Sequence, residues 1–501
     1  MSEAIPGITY APPPAAMRAA AAVILVREGE HGQEVFWVRR GEKVSFSGGF
    51  YAFPGGRLDA ADAAVSIAFA SDDAASCVCA IRETFEESGV LLAPGADAIA
   101  ADRREAMRRE LLDGASFAAL LAREGIALDA RALTPAGRWV TPPFSPIRYD
   151  ARFFLATVPR DTVARVIPGE LTDGAWVRPD DALRRWEDGS ALLHPPNLHA
   201  MRTLARRASR DAIDDLLPPP HVDEHGVSTR IEFQHGIVFL PLRTPTLPPA
   251  QHTNCYLAGT GDLAIVDPGS PYPDELDLCE ARVRGLADEG RRAAKVLLTH
   301  HHRDHVGGSA IGARLGIPVL GHATTAARTS SVEGTLGDGD VIELGGPRAM
   351  RMRCLLTEGH ALGHLCFLDE ASRALFAGDM VAGGSTIVID PPEGDMGVYL
   401  ESLTRLLDLG IGTIYPAHGM PIPDGPATLR EYLSHREARI AQVEEAVRAG
   451  VDDVPSIVAR VYTDTHPAMY PVAERSALAS LLLLARRGAV RARGDRWEPA
   501  A

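Results

Sequence analysis

Thr299-His300-His301-His302-Arg303-Asp304-His305, followed by Val306-Gly307-Gly308, gathers metal-binding side chains within one short run. His300, His302, Asp304 and His305 offer imidazole and carboxylate, the donors that Zn²⁺ takes in sites that are not all thiolate. His300 and His302, two apart on an extended stretch, can face one ion, while Asp304 and His305 lie far enough along to face a second. The apolar run Lys295 to Leu298 just before them reads as a buried strand delivering the loop.

The chain supplies further donors downstream, each after an apolar segment and beside small residues. Thr357-Glu358-Gly359-His360 offers a third histidine for the first ion, Phe376-Ala377-Gly378-Asp379 a carboxylate able to bridge both, and Tyr415-Pro416-Ala417-His418-Gly419 a last histidine. Each turn alone is a weak signal; three behind a strong motif make a constellation.

This set resembles the metallo-β-lactamase fold of binuclear zinc hydrolases, with Ile265-Val266-Asp267-Pro268-Gly269 matching the aspartate-bearing strand end before the metal loop. Thr253-Asn254-Cys255-Tyr256-Leu257 and the stretch from Gly384-Ser385-Thr386 to Pro391-Pro392 resemble most the β-lactamase-like protein 2 branch, related to glyoxalase II and to RNA-processing hydrolases. Glu358 stands where that family usually has proline. The resemblance implies an αββα sandwich with His300, His302 and His360 on one zinc, Asp304, His305 and His418 on the other, and Asp379 shared. It further implies that Asp304 orients the attacking water and carries its proton, and that Asp267 steadies the metal loop through hydrogen bonds.

A second block lies near the N-terminus. Phe53-Pro54-Gly55-Gly56-Arg57-Leu58-Asp59 is followed, after an insertion, by Ala80-Ile81-Arg82-Glu83-Thr84-Phe85-Glu86-Glu87-Ser88-Gly89-Val90. On a helix, Glu83, Glu86 and Glu87 share a face with Arg82 beside them, and Gly89 is a helix stop. Three carboxylates held that close repel unless cations intervene; oxygen-seeking Mg²⁺ or Mn²⁺, bridging to a diphosphate, suits them. The pattern resembles the Nudix hydrolase signature, although the 25 residues between Gly56 and Arg82 exceed the usual interval. That insertion, Tyr149-Asp150-Ala151-Arg152-Phe153-Phe154-Leu155 and Trp176-Val177-Arg178-Pro179 resemble the branch associated with coenzyme A and acyl-CoA. By resemblance Glu83, Glu86 and Glu87 bind the metals and one acts as base, Gly56 helps through its carbonyl, and Arg82 orients the carboxylates. Asp62 falls where the signature's first glutamate would stand if the insertion follows it, and no role is assigned to it.

The elements that must position these groups fill a chain of 501 residues, long enough for two to four domains, with 46% hydrophobic content for real cores. Leu216-Leu217-Pro218-Pro219-Pro220 interrupts a charged helical stretch from Asn197 to Asp215 and reads as a linker. The expected domains are 1–217 (Nudix, an α/β/α sandwich), 221–425 (metallo-β-lactamase) and 426–501. The last reads as helices at Leu429 to Ala449, Val454 to Val461 and Pro471 to Arg487, then short strands around Ala489 and Trp497, a winged helix. Within it His435-Arg436-Glu437, Tyr462-Thr463-Asp464 and Glu474-Arg475-Ser476 resemble the C-terminal domain of the same β-lactamase-like branch. The fold class is thus multidomain, α/β with α+β.

Composition limits the partners. A net charge of −15 argues against a chain that coats nucleic acid or anionic membrane as a whole. Arg486, Arg487, Arg491, Arg493 and Arg496 nonetheless concentrate near the C-terminus, where they suit phosphates. The helix that would read bases, with Ser476, Ser480 and many leucines, is not notably basic, which favours packing over nucleic-acid reading. The apolar stretch Ala19 to Val26 is too short to span a bilayer, and Pro12 to Pro14 with Arg18 make a poor signal peptide. Six cysteines, including Cys77-Val78-Cys79, form no disulfide framework and read as buried thiols of a cytosolic protein. Lys43 and Lys295 are the only lysines.

The expectation is a fused, bifunctional hydrolase: two zinc ions in one domain, Mg²⁺ or Mn²⁺ in the other. The substrates are small molecules such as a nucleoside diphosphate derivative or a CoA thioester, with RNA the phosphodiester alternative for the zinc site and no membrane partner. A metal-binding nucleotide or nucleic-acid sensor with one or both sites inert is the competing reading, opposed by the full set of ligands in both blocks.

Overall fold

The computed structural model describes residues 15–42, 44, 47–70, 73–248 and 250–500. Lys43 and Pro12 to Pro14 lie outside them. The described chain forms two compact units that divide between His235 and Gly236.

The first unit is built on a seven-stranded mixed sheet. Its central path runs Tyr51–Ala52, Gly32–Arg40, Met17–Gly29, Arg148–Thr157, Thr134–Val140; Gly55–Arg57 pairs on Met17–Gly29 and Leu171–Val177 on Gly32–Arg40. Strand alternation in Val23-Ile24-Leu25-Val26 sends Val23 and Leu25 to one face and Ile24 and Val26 to the other. Helix Ala74–Ser88 packs Val78, Ile81 and Phe85 on the first face, and helices Pro179–Asp188 and Pro195–Arg206 pack Trp186, Leu198 and Met201 on the second. The result is the expected α/β/α sandwich. Gly89 ends the signature helix in the left-handed conformation (φ 76°).

The predicted helix from Asn197 to Asp215 breaks at Arg207, which turns to extended backbone before a short helix at Ile213–Leu216. The boundary also moves. Residues after the prolines return to the first unit: Val140 N–H donates to Gly226 O (2.8 Å), Leu193 N–H to Phe233 O (3.0 Å) and Trp186 Nε1–H to Glu232 O (3.1 Å). Phe233, packed edge-on to Phe50, is a core residue of that unit, so the prolines mark a turn within it.

The second unit contains a six-stranded sheet, in order Ile237–Arg243, His252–Ala258, Asp262–Val266, Arg292–Leu297, Val319–Gly321, Gly334–Thr335. A five-stranded sheet follows, in order Val341–Leu344, Met350–Leu356, Leu365–Asp369, Leu375–Gly378, Ile414–Pro416. Tyr256 on the first meets Phe376 and Tyr415 on the second edge-on, with ring centroids 5.4 and 5.5 Å apart. Helices Pro273–Ala287 and Ile311–Leu315 cover the first sheet, and Met396–Asp408 and Gly425–Arg448 cover the second, an αββα sandwich.

Helices Gly425–Arg448, Val454–Val461 and Tyr470–Arg486 and the hairpin Val490–Arg493/Arg496–Pro499 make the winged helix. It has no core of its own: Leu429, Val443, Ile457 and Ala477 share one apolar cluster with Leu403, Leu406 and Ile411 of the sandwich. The stretch Pro467–Arg486 is long and apolar enough to cross a membrane by length and composition, and half of that window is buried inside the protein.

The metal loop leaves strand Arg292–Leu297 and is pinned by close backbone approach. A Cβ on Gly269 would lie 1.7 Å from Asp304 O, and one on Gly308 1.9 Å from Pro268 O. Gly269→Ala is therefore expected to cost about 2 kcal/mol or more, since the contacted atom is backbone and cannot swing away; urea unfolding midpoints would read this directly.

Candidate metal centres

The histidine loop brings its side chains to the ends of the strands of both sheets. Nε2 of His300 lies 2.9 Å from Nδ1 of His302, which lies 3.1 Å from Nε2 of His360. On the other side Nε2 of His305 and Nε2 of His418 each stand 3.4 Å from Asp379 Oδ1, and His418 Nε2 is 3.6 Å from Asp304 Oδ2. Asp379 presents its second oxygen, Oδ2, to His360 Nε2 at 3.4 Å. All seven residues named from the sequence are thus together, in two groups with Asp379 between them.

Donor spacing and chemistry fit metal ions. Four ligands held tetrahedrally at about 2.0–2.1 Å from Zn²⁺ stand about 3.3 Å from one another. Buried polar atoms normally have partners, yet His305 Nε2 and Asp379 Oδ1 are buried with no hydrogen-bond partner. Burial holds His300 well below the usual imidazole range and lowers His360 to about 4, so both are neutral with a lone pair to give. Burial opposes charge on Asp379, but His418 and His305 outweigh it and keep the carboxyl ionised.

The outward nitrogens are held by a second ring of groups. Asp267 accepts from Thr299 N–H (2.8 Å) and Thr299 Oγ1–H (2.6 Å) and bonds His305 Nδ1 (2.8 Å), which turns His305 Nε2 inward. His360 Nδ1 is 2.8 Å from Val388 O, and His418 Nδ1 is 3.0 Å from His252 O. Asn254 Nδ2 donates to Pro416 O (2.8 Å) and Gly419 O (2.7 Å), fixing the turn that carries His418. Glu358 turns away, accepting from Gly363 N–H (2.7 Å).

Sequence reasoning missed several members. His364, fully buried, accepts at Nε2 from Asp379 N–H (3.1 Å) and is tied at Nδ1 to Thr357 Oγ1 (3.0 Å), anchoring the bridging aspartate. His301 points away from the metal groups to Glu393 (3.0 Å) and Arg328 (2.6 Å from Nε2), and Arg328 also reaches Glu393 (2.8 Å). His301, His302 and Glu393 are close enough to hold a cation, but Arg328 already supplies the charge there. The signal for His364 was one more histidine four residues after His360.

The glutamate helix is arranged differently. Arg82 donates Nε–H to Asp62 Oδ1 (2.7 Å) and Nη2–H to Asp62 Oδ2 (2.9 Å), while Nη1–H reaches Glu83 (2.9 Å) and Glu86 (3.2 Å). Asp62 is thus the buried, bidentate partner of Arg82. Glu87 is turned into the protein, where Gly55 N–H donates to it (2.8 Å). Gly56 lies against Glu83: a Cβ there would come within 2.5 Å of its carboxylate. Among the described residues, the metal-sized groups do not include Glu83, Glu86 and Glu87; the Arg82 guanidinium stands between Glu83 and Glu86 as a resident cation.

Burial pushes Glu83 up to about 7, raises Glu86, and raises Glu87 well above the carboxylate range. A divalent ion would have to displace the Glu83 proton below that pH. Mn²⁺ affinity of this unit is therefore expected to fall by about tenfold or more per pH unit below about pH 6.5, as the protons of Glu83, Glu86 and Glu87 compete with the ion, and to go on rising above pH 7 while Glu87 still holds its proton; calorimetric titration across pH 5.5–8.5 checks it.

The C-terminal arginines are largely matched by carboxylates: Arg486 with Asp395, Arg491 and Arg493 with Glu498, Arg496 with Asp452. This lowers the local positive excess that suggested phosphate binding.

Two sandwiches, one with a two-lobed histidine and aspartate cluster and one with a glutamate helix, define a multidomain chain of the metal-dependent hydrolase type. Residues 248–418 match the metallo-β-lactamase superfamily, 66–204 the NUDT19 Nudix domain, and 454–497 the β-lactamase-associated winged helix domain. The chain carries these three domains; both larger ones are hydrolase domains and imply divalent metal use. The lactamase-like protein adaB of Aspergillus niger is 38% identical over 205 residues, 39% of this chain and 59% of the relative. Atrochrysone carboxyl ACP thioesterase of Aspergillus chevalieri is 35% identical over 199 residues, 40% of this chain and 61% of the relative. A solved metallo-β-lactamase family protein from Thermus thermophilus is 25% identical, covering 53% of this chain and 98% of its own, with a TM-score of 0.44. The chain spans about three fifths of the length of the curated relatives it matches.

Proposed function

We propose that this protein is a bifunctional metal-dependent hydrolase, with a binuclear zinc centre cleaving a thioester in the second unit and a Mg²⁺- or Mn²⁺-dependent diphosphate hydrolase in the first. The observation that carries the first reading is Asp379, whose two oxygens face the two histidine groups at 3.4 Å each. Zinc bound there supplies Lewis acidity toward a carbonyl and lowers the pKa of water toward neutrality. The chain's own residues do the rest. His300, His302 and His360 would hold one ion and Asp304, His305 and His418 the other, with Asp379 presenting one oxygen to each group. Asp304, buried beside His305 and His418, orients the nucleophilic water and takes its proton. Asp267 and Thr299 keep the loop in place so that little reorganisation accompanies reaction.

A thioester substrate is supported by the relative named as an ACP thioesterase, and by the segments of the Nudix block whose sequence resembles the coenzyme A branch. An RNA phosphodiester is the second reading; the pairing of the C-terminal arginines with carboxylates weighs against it. In the first unit Glu83, Glu86 and Glu87 would hold the ions, with Gly56 contributing its carbonyl and one glutamate serving as base, while Arg82 yields its place between Glu83 and Glu86. A cytosolic, reducing setting suits the six buried free cysteines.

Zinc-loaded protein is to be incubated with an acyl-CoA and, separately, with single-stranded RNA. Thiol release is the expected result. RNA cleavage without thiol release would overturn the thioesterase reading, and metal binding with no turnover of any ester, thioester or diphosphate would favour the sensor.

A further inference from the structure

We infer that the C-terminal helices Gly425–Arg448 and Tyr470–Arg486 are a working part of the metal centre: they grip a strap, residues 385–395, whose Val388 carbonyl and Glu393 carboxylate stand behind His360 and His302 and set the hold of the His300/His302/His360 group on its ion, and not that of the other group. The inference rests on the two-ion reading above.

The strap touches the first group at two points. Val388 O bonds His360 Nδ1 at 2.8 Å, and Glu393 lies 3.9 Å from His302 Nε2, the nitrogen opposite the one that faces the metal position. Glu393 is itself fixed by His301 and Arg328. A partner on the outer nitrogen of a ligating imidazole sets its tautomer and ring orientation. Both partners here lie on a strap without regular secondary structure, so something else must hold them.

The C-terminal helices do so along its length. From helix Gly425–Arg448, the Tyr432 hydroxyl accepts from Ala382 N–H (2.8 Å) and bonds Ser385 O, and the Arg436 guanidinium donates to Ile387 O. From helix Tyr470–Arg486, Ser476 Oγ accepts from Ile389 N–H (3.3 Å), Arg475 donates to Asp390 (3.3 Å) and Arg486 to Asp395 (2.7 Å). Arg436 and Ser476 are buried, and Arg436 lies over the Tyr399 ring at 5.4 Å. The buried Arg436 guanidinium spends its Nη2–H on Ile387 O, the residue beside Val388, while its Nε–H is buried without a hydrogen-bond partner.

The second group is anchored elsewhere. The His305 imidazole is held by Asp267, at the end of a first-sheet strand, and the His418 imidazole by His252 O, while the His418 carbonyl accepts from Gly383 N–H (2.8 Å), just before the strap. Disturbing the strap should therefore act on one ion of two.

The test is zinc competition against a chromophoric chelator with the full chain, comparing wild type, Arg436→Met, Glu393→Gln and His360→Ala. Wild type is expected to hold two zinc equivalents. His360→Ala identifies the equivalent of the first group, and Arg436→Met and Glu393→Gln should weaken that same equivalent ten- to a hundredfold while leaving the other at its wild-type affinity. If Arg436→Met does not fold, Glu393→Gln together with Arg475→Ala decides. Unchanged affinities, or equal weakening of both equivalents, would overturn the inference and leave the two-ion reading standing. Fewer than two equivalents in wild type would overturn the two-ion reading and the inference with it.

Discussion

On the proposed reading, Asp379→Ala is expected to abolish thioester hydrolysis, by about 10³-fold or more, with loss of zinc from both groups and with the proposed diphosphatase of the other unit unchanged. The magnitude follows from what the aspartate would do: metal-ion catalysis contributes several kcal/mol of charge stabilisation, about 4 kcal/mol corresponds to about 10³-fold, and among the described residues Asp379 is the carboxylate that faces both histidine groups. Asp379 Oδ1 lies 3.4 Å from His305 and His418 while Oδ2 lies 3.4 Å from His360, so a single truncation removes a ligand from each side. His302→Ala removes a ligand from one side only and should cost one zinc equivalent with a comparable loss of thiol release. Zinc content by elemental analysis, read beside thiol release, separates the two variants. Two equivalents retained by Asp379→Ala would end the bridging role.

The candidate metal-binding residues were legible as a cluster because their chemistry is written locally: three imidazoles and a carboxylate on a strand-ending loop, then His-Gly and Gly-Asp turns at later strand ends. Three things were not legible. Glu393 meets His301 across more than ninety residues, and Arg328 and Val388 join the same neighbourhood from separate loops, so no spacing or periodicity announces them. The domain edge at the prolines was misplaced for a related reason: Leu217-Pro218-Pro219-Pro220 has the composition of a linker, but the apolar Ile231 and Phe233 beyond it complete the first unit's core. In the glutamate block, sequence predicted the helix and its acidic face but not that Arg82 would bind two of the three carboxylates, because i and i+4 spacing is equally suited to a divalent ion and to an arginine.

That ambiguity sets the second large effect. Glu86→Gln is expected to lower diphosphate hydrolysis by about 10²–10³-fold, equivalent to about 3–4 kcal/mol, with thiol release by the zinc unit unchanged. Glu86 is the most exposed of the three glutamates, its side chain reachable by a substrate-bound cation, and the amide keeps its shape while removing its charge. Asp62→Asn tests the arginine's part. Asp62 now draws Arg82 back with two bonds of 2.7 and 2.9 Å, and weakening that hold leaves the guanidinium freer to settle on Glu83 and Glu86, in competition with the metal. Asp62→Asn should then raise the Mn²⁺ concentration needed for half-maximal rate while the rate at saturating Mn²⁺ stays near wild type. Glu86→Gln should depress the saturated rate itself. A lower Mn²⁺ requirement in Asp62→Asn would mean that Asp62 serves the metal rather than the arginine, and that Arg82 is a substrate contact instead of a placeholder for the ion.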